Sequence, residues 1–141
     1  MFRAIAVAAL LSLSAQAHAQ HVDDPYAKDY FPRLVAEYQG FEHIASGVVR
    51  MAAFAMQCRV LSLSAEGNLF SSLQRDLERM FLRLYETAAL NHVQSPVTPD
   101  HNLNVLMDAR RAGWGRAARG CQWWHDHPDD VAMMRDLARD R

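Results

Sequence analysis

Residues 70–88 read FSSLQRDLERMFLRLYETA, and this stretch decides the fold class. Its apolar side chains recur every three or four residues, which is the spacing of one face of an α-helix, and charged side chains fill the other face. The apolar positions are Phe70, Leu73, Leu77, Met80, Phe81, Leu84 and Ala88. The pattern predicts an amphipathic helix that ends near Asn91.

A similar apolar stripe precedes this helix. It begins near Asp29, with Pro32 in the first turn where a missing N–H costs little, and it continues to Cys58. Gly40 lies inside the stripe, so the segment forms either one helix that reaches about Leu63 or two helices that meet at Gly40. We expect a turn at residues 64–68 before the next helix.

The chain after Asn91 predicts two further helices. Two prolines in residues 95–99 interrupt helical structure. Asp100 or Asn102 can cap a third helix, which we expect to continue to His127. Pro128, followed by two aspartates, is typical of a helix N-terminus and predicts a last helix over residues 128–139.

The composition supports an all-α fold. The chain has 141 residues, with 22 Ala and 15 Leu against 2 Ile and 2 Thr, a balance that favours helices over sheets. These numbers and the short connections predict a small antiparallel four- or five-helix bundle, formed by one domain over residues 29–141. The net charge of -1 gives no basis for a nucleic-acid partner.

The first residues have the three parts of a secretory signal peptide. Arg3 supplies a positive charge, residues 5–13 are almost entirely apolar, and Ala17 and Ala19 are the small residues of a cleavage site. The apolar core is about ten residues long, whereas a membrane span needs roughly 20. We expect residues 1–19 to be a signal peptide cleaved after Ala19, residues 20–28 to be a flexible lead-in, and the mature chain to be periplasmic or secreted, with no transmembrane segment.

Cys58 and Cys121 are the two cysteines of the chain. An even count in an exported protein favours a disulfide, which here would join two helices. Small residues at helical spacing from each cysteine would allow those helices to approach closely at the bridge. We expect one interhelical Cys58–Cys121 bond.

Metal binding is the alternative use of these residues. Cys121 and His125 are four residues apart and would share a helix face, with Cys58 opposite and His127 nearby, a possible zinc ligand set. After cleavage at Ala19, His21 would become the second residue, where an α-amine, an amide and an imidazole can hold Cu(II). Neither pattern is specific, and we expect no cofactor.

Arginine and tryptophan side chains are the candidate partner-binding residues. Arginine and tryptophan are the residue types that dominate binding hot spots. Arginine also recognises carboxylates and phosphates. Adjacent tryptophans differ by about 100° around a helix, so the two rings do not fit the same core slot. We expect a wide helix interface that buries both rings, and the alternative is that one ring packs while the other remains near the surface. The candidates are Arg75, Arg79 and Arg83, a second group at Arg110, Arg111, Arg116 and Arg119, and the pair Trp123 and Trp124.

No motif for catalysis or cofactor binding is present, so we expect a protein that is not an enzyme.

The first hypothesis is an exported binding protein, such as an inhibitor, an immunity-type protein or an envelope adaptor, with a protein partner in the cell envelope. The second is a metal or cofactor carrier that uses histidine and cysteine ligands. The third is a helical envelope chaperone with exposed apolar surface at Met56, Met107 and Met133. The sequence does not predict the oligomeric state.

Overall fold

The computed structural model describes residues 28–141, which are 79% helical and contain no strand. The expected signal peptide at residues 1–19, the His21 site and the lead-in up to residue 27 lie outside the described residues. The all-α prediction is confirmed. The helices are α1 (Tyr30–Gln57), α2 (Leu63–Leu90), α3 (His101–Ala117), α4 (Gln122–Asp126) and α5 (Pro128–Arg139).

Helix α1 is one unbroken helix of 28 residues that passes through Gly40. It begins directly after Asp29, as predicted, but ends at Gln57 rather than near Leu63. Arg59, with a φ of 62°, adopts a left-handed backbone conformation that a right-handed helix does not tolerate. The conformation of Arg59 therefore turns the chain immediately after α1.

The prediction of a turn at residues 64–68 is wrong, because the turn lies at residues 58–62. Ser62 is the N-cap of α2, and its hydroxyl accepts a hydrogen bond from the Ala65 amide at 3.0 Å. Gly67 consequently lies inside α2. Helix α2 ends at Leu90, and six of the seven predicted apolar positions are buried, with Met80 partly buried.

The predicted third helix is interrupted, and this expectation was also wrong. Helix α3 ends at Ala117, and the chain turns through Gly120, whose φ of 117° is readily accessible only to glycine. Cys121 then caps the short helix α4. Pro128 opens α5 as predicted.

Helix α1 is the centre of the core. It packs most extensively against α3 and next against α2, and the three helices share one hydrophobic cluster. Met134 connects α5 to this cluster. The largest fully buried side chains of the cluster are Tyr38, Phe54, Leu69, Leu77, Leu84, Leu106 and Val49.

Gly113 lies where α3 approaches α1 most closely. A Cβ atom at this position would meet the Arg50 carbonyl oxygen at 2.3 Å and the Ala53 Cβ at 2.8 Å. These distances are shorter than van der Waals contact, so a side chain here requires the two helices to separate. Gly113 is one of the small residues at helical spacing from Cys121 that were expected to allow a close approach of two helices.

We predict that Gly113→Ala destabilises the protein by about 1 to 3 kcal/mol, because the added methyl group overpacks the contact between α1 and α3. Gly115→Ala is the matched control, since nothing lies within 4 Å of its added Cβ. This control should raise stability by up to about 1 kcal/mol through helix propensity. Urea unfolding measures the stability of both variants. Equal changes in stability would contradict the close approach of α1 and α3 at Gly113.

Glu66 and Arg110 form a buried ion pair between α2 and α3. Arg110 donates from Nε to Oε1 at 2.8 Å and from Nη2 to Oε2 at 2.6 Å, a bidentate arrangement. The Glu66 side chain is 1% exposed. The Arg110 guanidinium also lies 5.0 Å from the centre of the Phe70 ring and 5.5 Å from that of Trp114. Arg110 therefore belongs to the interior and does not extend the proposed arginine surface.

We predict that Arg110→Ala destabilises the fold by about 3 to 5 kcal/mol, because it leaves the buried Glu66 carboxylate without its counter-charge. Arg111→Ala removes an exposed arginine paired only with Asp108, and should change stability by less than about 0.5 kcal/mol. Guanidinium unfolding of both variants measures the difference. An Arg110→Ala protein as stable as Arg111→Ala would show that the pair is not structural.

Candidate functional site

The disulfide joins the ends of two helices. Cys58 is the C-cap of α1 and Cys121 is the N-cap of α4, with their Cα atoms 5.6 Å apart. The predicted pairing is confirmed, although both cysteines lie at helix ends and not inside helices. The bond fixes the start of α4 against the end of α1, so the side chains of α4 are held beside Phe54.

Aromatic rings and a guanidinium pack together next to this bond. We call this group the disulfide-end cluster; it consists of Phe54, Arg116, Trp123, Trp124 and His127. The two tryptophan rings meet edge to face, with centroids 4.8 Å apart and planes at 85°. Trp124 is 3% exposed and lies 5.1 Å from the Phe54 ring, whereas Trp123 is only partly buried. One ring thus packs into the core while the other reaches the surface.

Trp123 contacts a cationic and an aromatic neighbour. The Arg116 guanidinium carbon lies 4.8 Å from the Trp123 ring centre and 4.6 Å from that of Phe54. The His127 ring stacks on Trp123 with centroids 4.2 Å apart and planes at 15°. His127 Nδ1 donates to the Trp123 carbonyl oxygen at 2.7 Å, which holds the imidazole in place. The ring of Trp123 is therefore held in one orientation.

The candidate arginines are distributed over separate helices. Arg75, Arg79 and Arg83 lie on α2, where Arg79 contacts Asp76 at 3.4 Å and Arg83 donates to the Tyr30 hydroxyl at 3.1 Å. Arg116 belongs to α3 and the disulfide-end cluster. Arg119 follows α3 and is exposed. The α2 arginines contribute no residue to the disulfide-end cluster.

The histidine and cysteine positions give no complete metal site in residues 28–141. Cys58 and Cys121 are bonded to each other and do not offer thiolates while the bond is intact. Within the described part of the chain, no group of three His, Cys, Asp or Glu side chains is arranged to hold a metal ion. His125 is exposed and lies beside Asp126. The pKa of Asp126 is lowered mainly by a hydrogen bond from the Gln122 side chain and, to a smaller extent, by one from His125.

A polar cluster between α1 and α3 was missed by the sequence analysis. The Tyr38 hydroxyl donates to Oδ1 of Asn102, and both side chains are buried. His101 donates from Nε2 to Glu42 at 2.7 Å. Burial raises the pKa of the Tyr38 hydroxyl, and the nearby Glu42 carboxylate raises it further, so Tyr38 remains a neutral donor. Asn102 was considered as a helix cap, whereas its amide is part of the interior.

The sequence analysis also missed exposed apolar side chains on α2. Leu82 and Tyr85 are each 54% exposed, and Leu90 and Val93 near the end of the helix are also exposed. The three methionines considered for a chaperone surface, Met56, Met107 and Met133, are partly buried. Most of the large exposed apolar side chains in the described residues are therefore on α2, with Leu103 exposed on α3.

Among the described helices, none combines the length and the apolar character needed to cross a membrane. Comparison of the chain with protein-family models, with curated proteins and with solved structures finds no match. The functional interpretation consequently depends on the geometry of the chain's own side chains.

We predict that Cys58→Ala lowers the melting temperature strongly. The bond closes a loop of 63 residues, for which the chain-entropy model gives about 4 kcal/mol of stabilisation. Differential scanning calorimetry of the oxidised protein and the variant measures the loss, with reduced wild-type protein as the matched reference. An unchanged melting temperature in both samples would contradict a structural role for the bond.

Proposed function

We propose that this chain is an exported helical binding protein that contacts a protein partner through Trp123, Arg116 and Arg119. The observation that carries the proposal is the partly exposed Trp123 ring, which contacts both the Arg116 guanidinium and the His127 ring near the disulfide. Tryptophan and arginine are the residue types that contribute most often to binding hot spots.

The rigidity of this surface favours binding. A side chain that is ordered before association loses less conformational entropy when the partner arrives. Trp123 is ordered by two ring contacts, and the Cys58–Cys121 bond restrains the backbone from which it projects. Arg119, exposed between α3 and α4, would add a charged contact at the rim. The α2 arginines lie on another helix and are not part of this proposed interface.

Export is the second element of the proposal. The sequence of residues 1–19 supports cleavage after Ala19 and delivery to the periplasm or the exterior. A disulfide is in keeping with an oxidising compartment. The mature chain would then act in the cell envelope as an antiparallel helical bundle, a topology supported by the short connection between α1 and α2.

We predict that Trp123→Ala weakens partner binding by about 30-fold, equivalent to roughly 2 kcal/mol for a hot-spot residue. Arg119→Ala should weaken binding by a smaller factor. A photo-crosslinking residue at position 119 of the exported protein would identify the partner, and its purified form would serve for titration. Arg111→Ala and a crosslinker at position 111 are the matched controls, since Arg111 is exposed on α3 outside the cluster.

Undiminished binding by folded Trp123→Ala would contradict the proposed surface, as would equal crosslinking from positions 111 and 119. The nonreducing intact mass of the same preparation tests export. A chain that starts at Gln20 and lacks two hydrogens is expected from cleavage and disulfide formation. A chain that retains residues 1–19 would contradict the proposed processing.

A further inference from the structure

The outer face of α2 exposes apolar side chains that no other part of residues 28–141 covers. Leu77 and Leu84 on the inner face are fully buried, whereas Leu82 and Tyr85 are each 54% exposed. At 100° per residue, Leu82 points nearly opposite to Leu84. Leu82 and Tyr85, together with Ala89, form an apolar strip along the outside of the helix. Exposed apolar surface of this kind is typical of a binding site.

Charges on the same face have a self-complementary order. Arg79 precedes Leu82 by three residues and Glu86 follows it by four, so both side chains lie on the same edge of the apolar strip, at about 60° and 40° from Leu82. Arg79 is 72% exposed, and its contact with Asp76 at 3.4 Å is a surface pair of small energy. Glu86 is exposed as well. The edge thus has a positive end and a negative end, with Leu82 between them.

We propose that this face binds a second copy of the chain, with the two α2 helices antiparallel around a two-fold axis near Leu82. An interface across a two-fold axis uses the same patch on both copies, so the patch must complement itself. Antiparallel pairing places Leu82 against Leu82 of the second copy. It also places Arg79 of each copy next to Glu86 of the other, which forms two ion pairs on one edge of the contact.

In the antiparallel pair, both Arg79–Glu86 contacts are attractive while the apolar strip is buried. A two-fold parallel pair would place the Arg79 and Glu86 edges of the two copies on opposite sides of the contact, so Arg79 of one copy would not meet Glu86 of the other. Tyr85, on the opposite edge of the strip, adds ring surface to the contact. This inference does not depend on the disulfide-end cluster, which contains no residue of α2.

Sedimentation equilibrium of the oxidised protein, recovered after expression of the full 141-residue chain, tests the dimer. The expected result is a concentration-dependent mass that rises from one copy to two. Leu82→Glu should raise the dimer dissociation constant by more than about 100-fold, because it removes two buried leucines and introduces two charges. Leu63→Glu is the matched control, since Leu63 is exposed on the same helix but lies about 28 Å from Leu82.

Charge exchange tests the antiparallel register. Arg79→Glu and Glu86→Arg should each weaken the dimer by about tenfold, because each creates two like-charge contacts. In the double variant, the acidic side chain at position 79 of each copy again meets a basic side chain at position 86 of the other. The dissociation constant should therefore return to within about threefold of the original value. Far-UV circular dichroism of each variant confirms that the helices are formed.

Three results would overturn the proposal. A wild-type protein that remains a single copy up to millimolar concentration excludes self-association through this face. A dimer that Leu82→Glu leaves intact, or that Leu63→Glu disrupts equally, places the contact elsewhere. If the double charge variant dimerises as weakly as the single variants, the antiparallel register is contradicted. None of these results bears on partner binding at Trp123, which is measured separately.

Discussion

The contact between α1 and α3 at Gly113 is the constraint on which the rest of the structure depends. With no side chain at this position, the α3 backbone lies against the Arg50 carbonyl and the Ala53 methyl group. Arg110 is three residues before Gly113 and Arg116 is three residues after it, so they flank Gly113 at about 60° to either side around α3. The close approach brings Arg110 to Glu66 and Arg116 to Phe54.

The two arginines show how a cation can pack against the aromatic side chains of a helical bundle. Arg110 satisfies a buried carboxylate with two hydrogen bonds while its flat face covers Phe70 and Trp114. Arg116 lies over Phe54 and Trp123 in the same manner. A planar guanidinium supports both hydrogen bonding in its plane and stacking on its faces, which the ammonium group of lysine does not. Arginine at these positions is therefore explained by packing as well as by charge.

The features that could be predicted from sequence are those encoded locally. The inner face of α2 follows the helical period from Phe70 to Ala88, and Pro128 with two acidic residues after it defines the start of α5. The disulfide was predictable because only one pairing of two cysteines exists. In the candidate site, adjacency on a helix left two arrangements of the tryptophans open, and the structure has the one in which Trp124 is buried and Trp123 is partly exposed, rather than the expected burial of both rings.

The features that could not be predicted depend on conformation or on distant contacts. Gly67 lies within a helix and Gly120 forms a turn, yet glycine is compatible with both structures. The left-handed conformation of Arg59 has no signal in its residue type. The Glu66–Arg110 pair spans 44 residues of sequence and the Tyr38–Asn102 pair spans 64, so no local pattern reveals either partner. The stacking of His127 on Trp123 depends on where α4 ends, and the local sequence pattern does not indicate that position.

The two proposed surfaces use different parts of the chain. The residues of the disulfide-end cluster come from α1, α3, α4 and the N-cap of α5. The face proposed to bind a second copy of the chain lies wholly on α2. Because they share no residue, occupation of one does not remove side chains from the other. A dimer formed through α2 would present two disulfide-end clusters related by a two-fold axis. If the partner is itself repeated or dimeric, such an arrangement binds it at two points, and the second contact forms at the high effective concentration set by the first. Self-association would then increase the strength of partner binding without any new contact at Trp123.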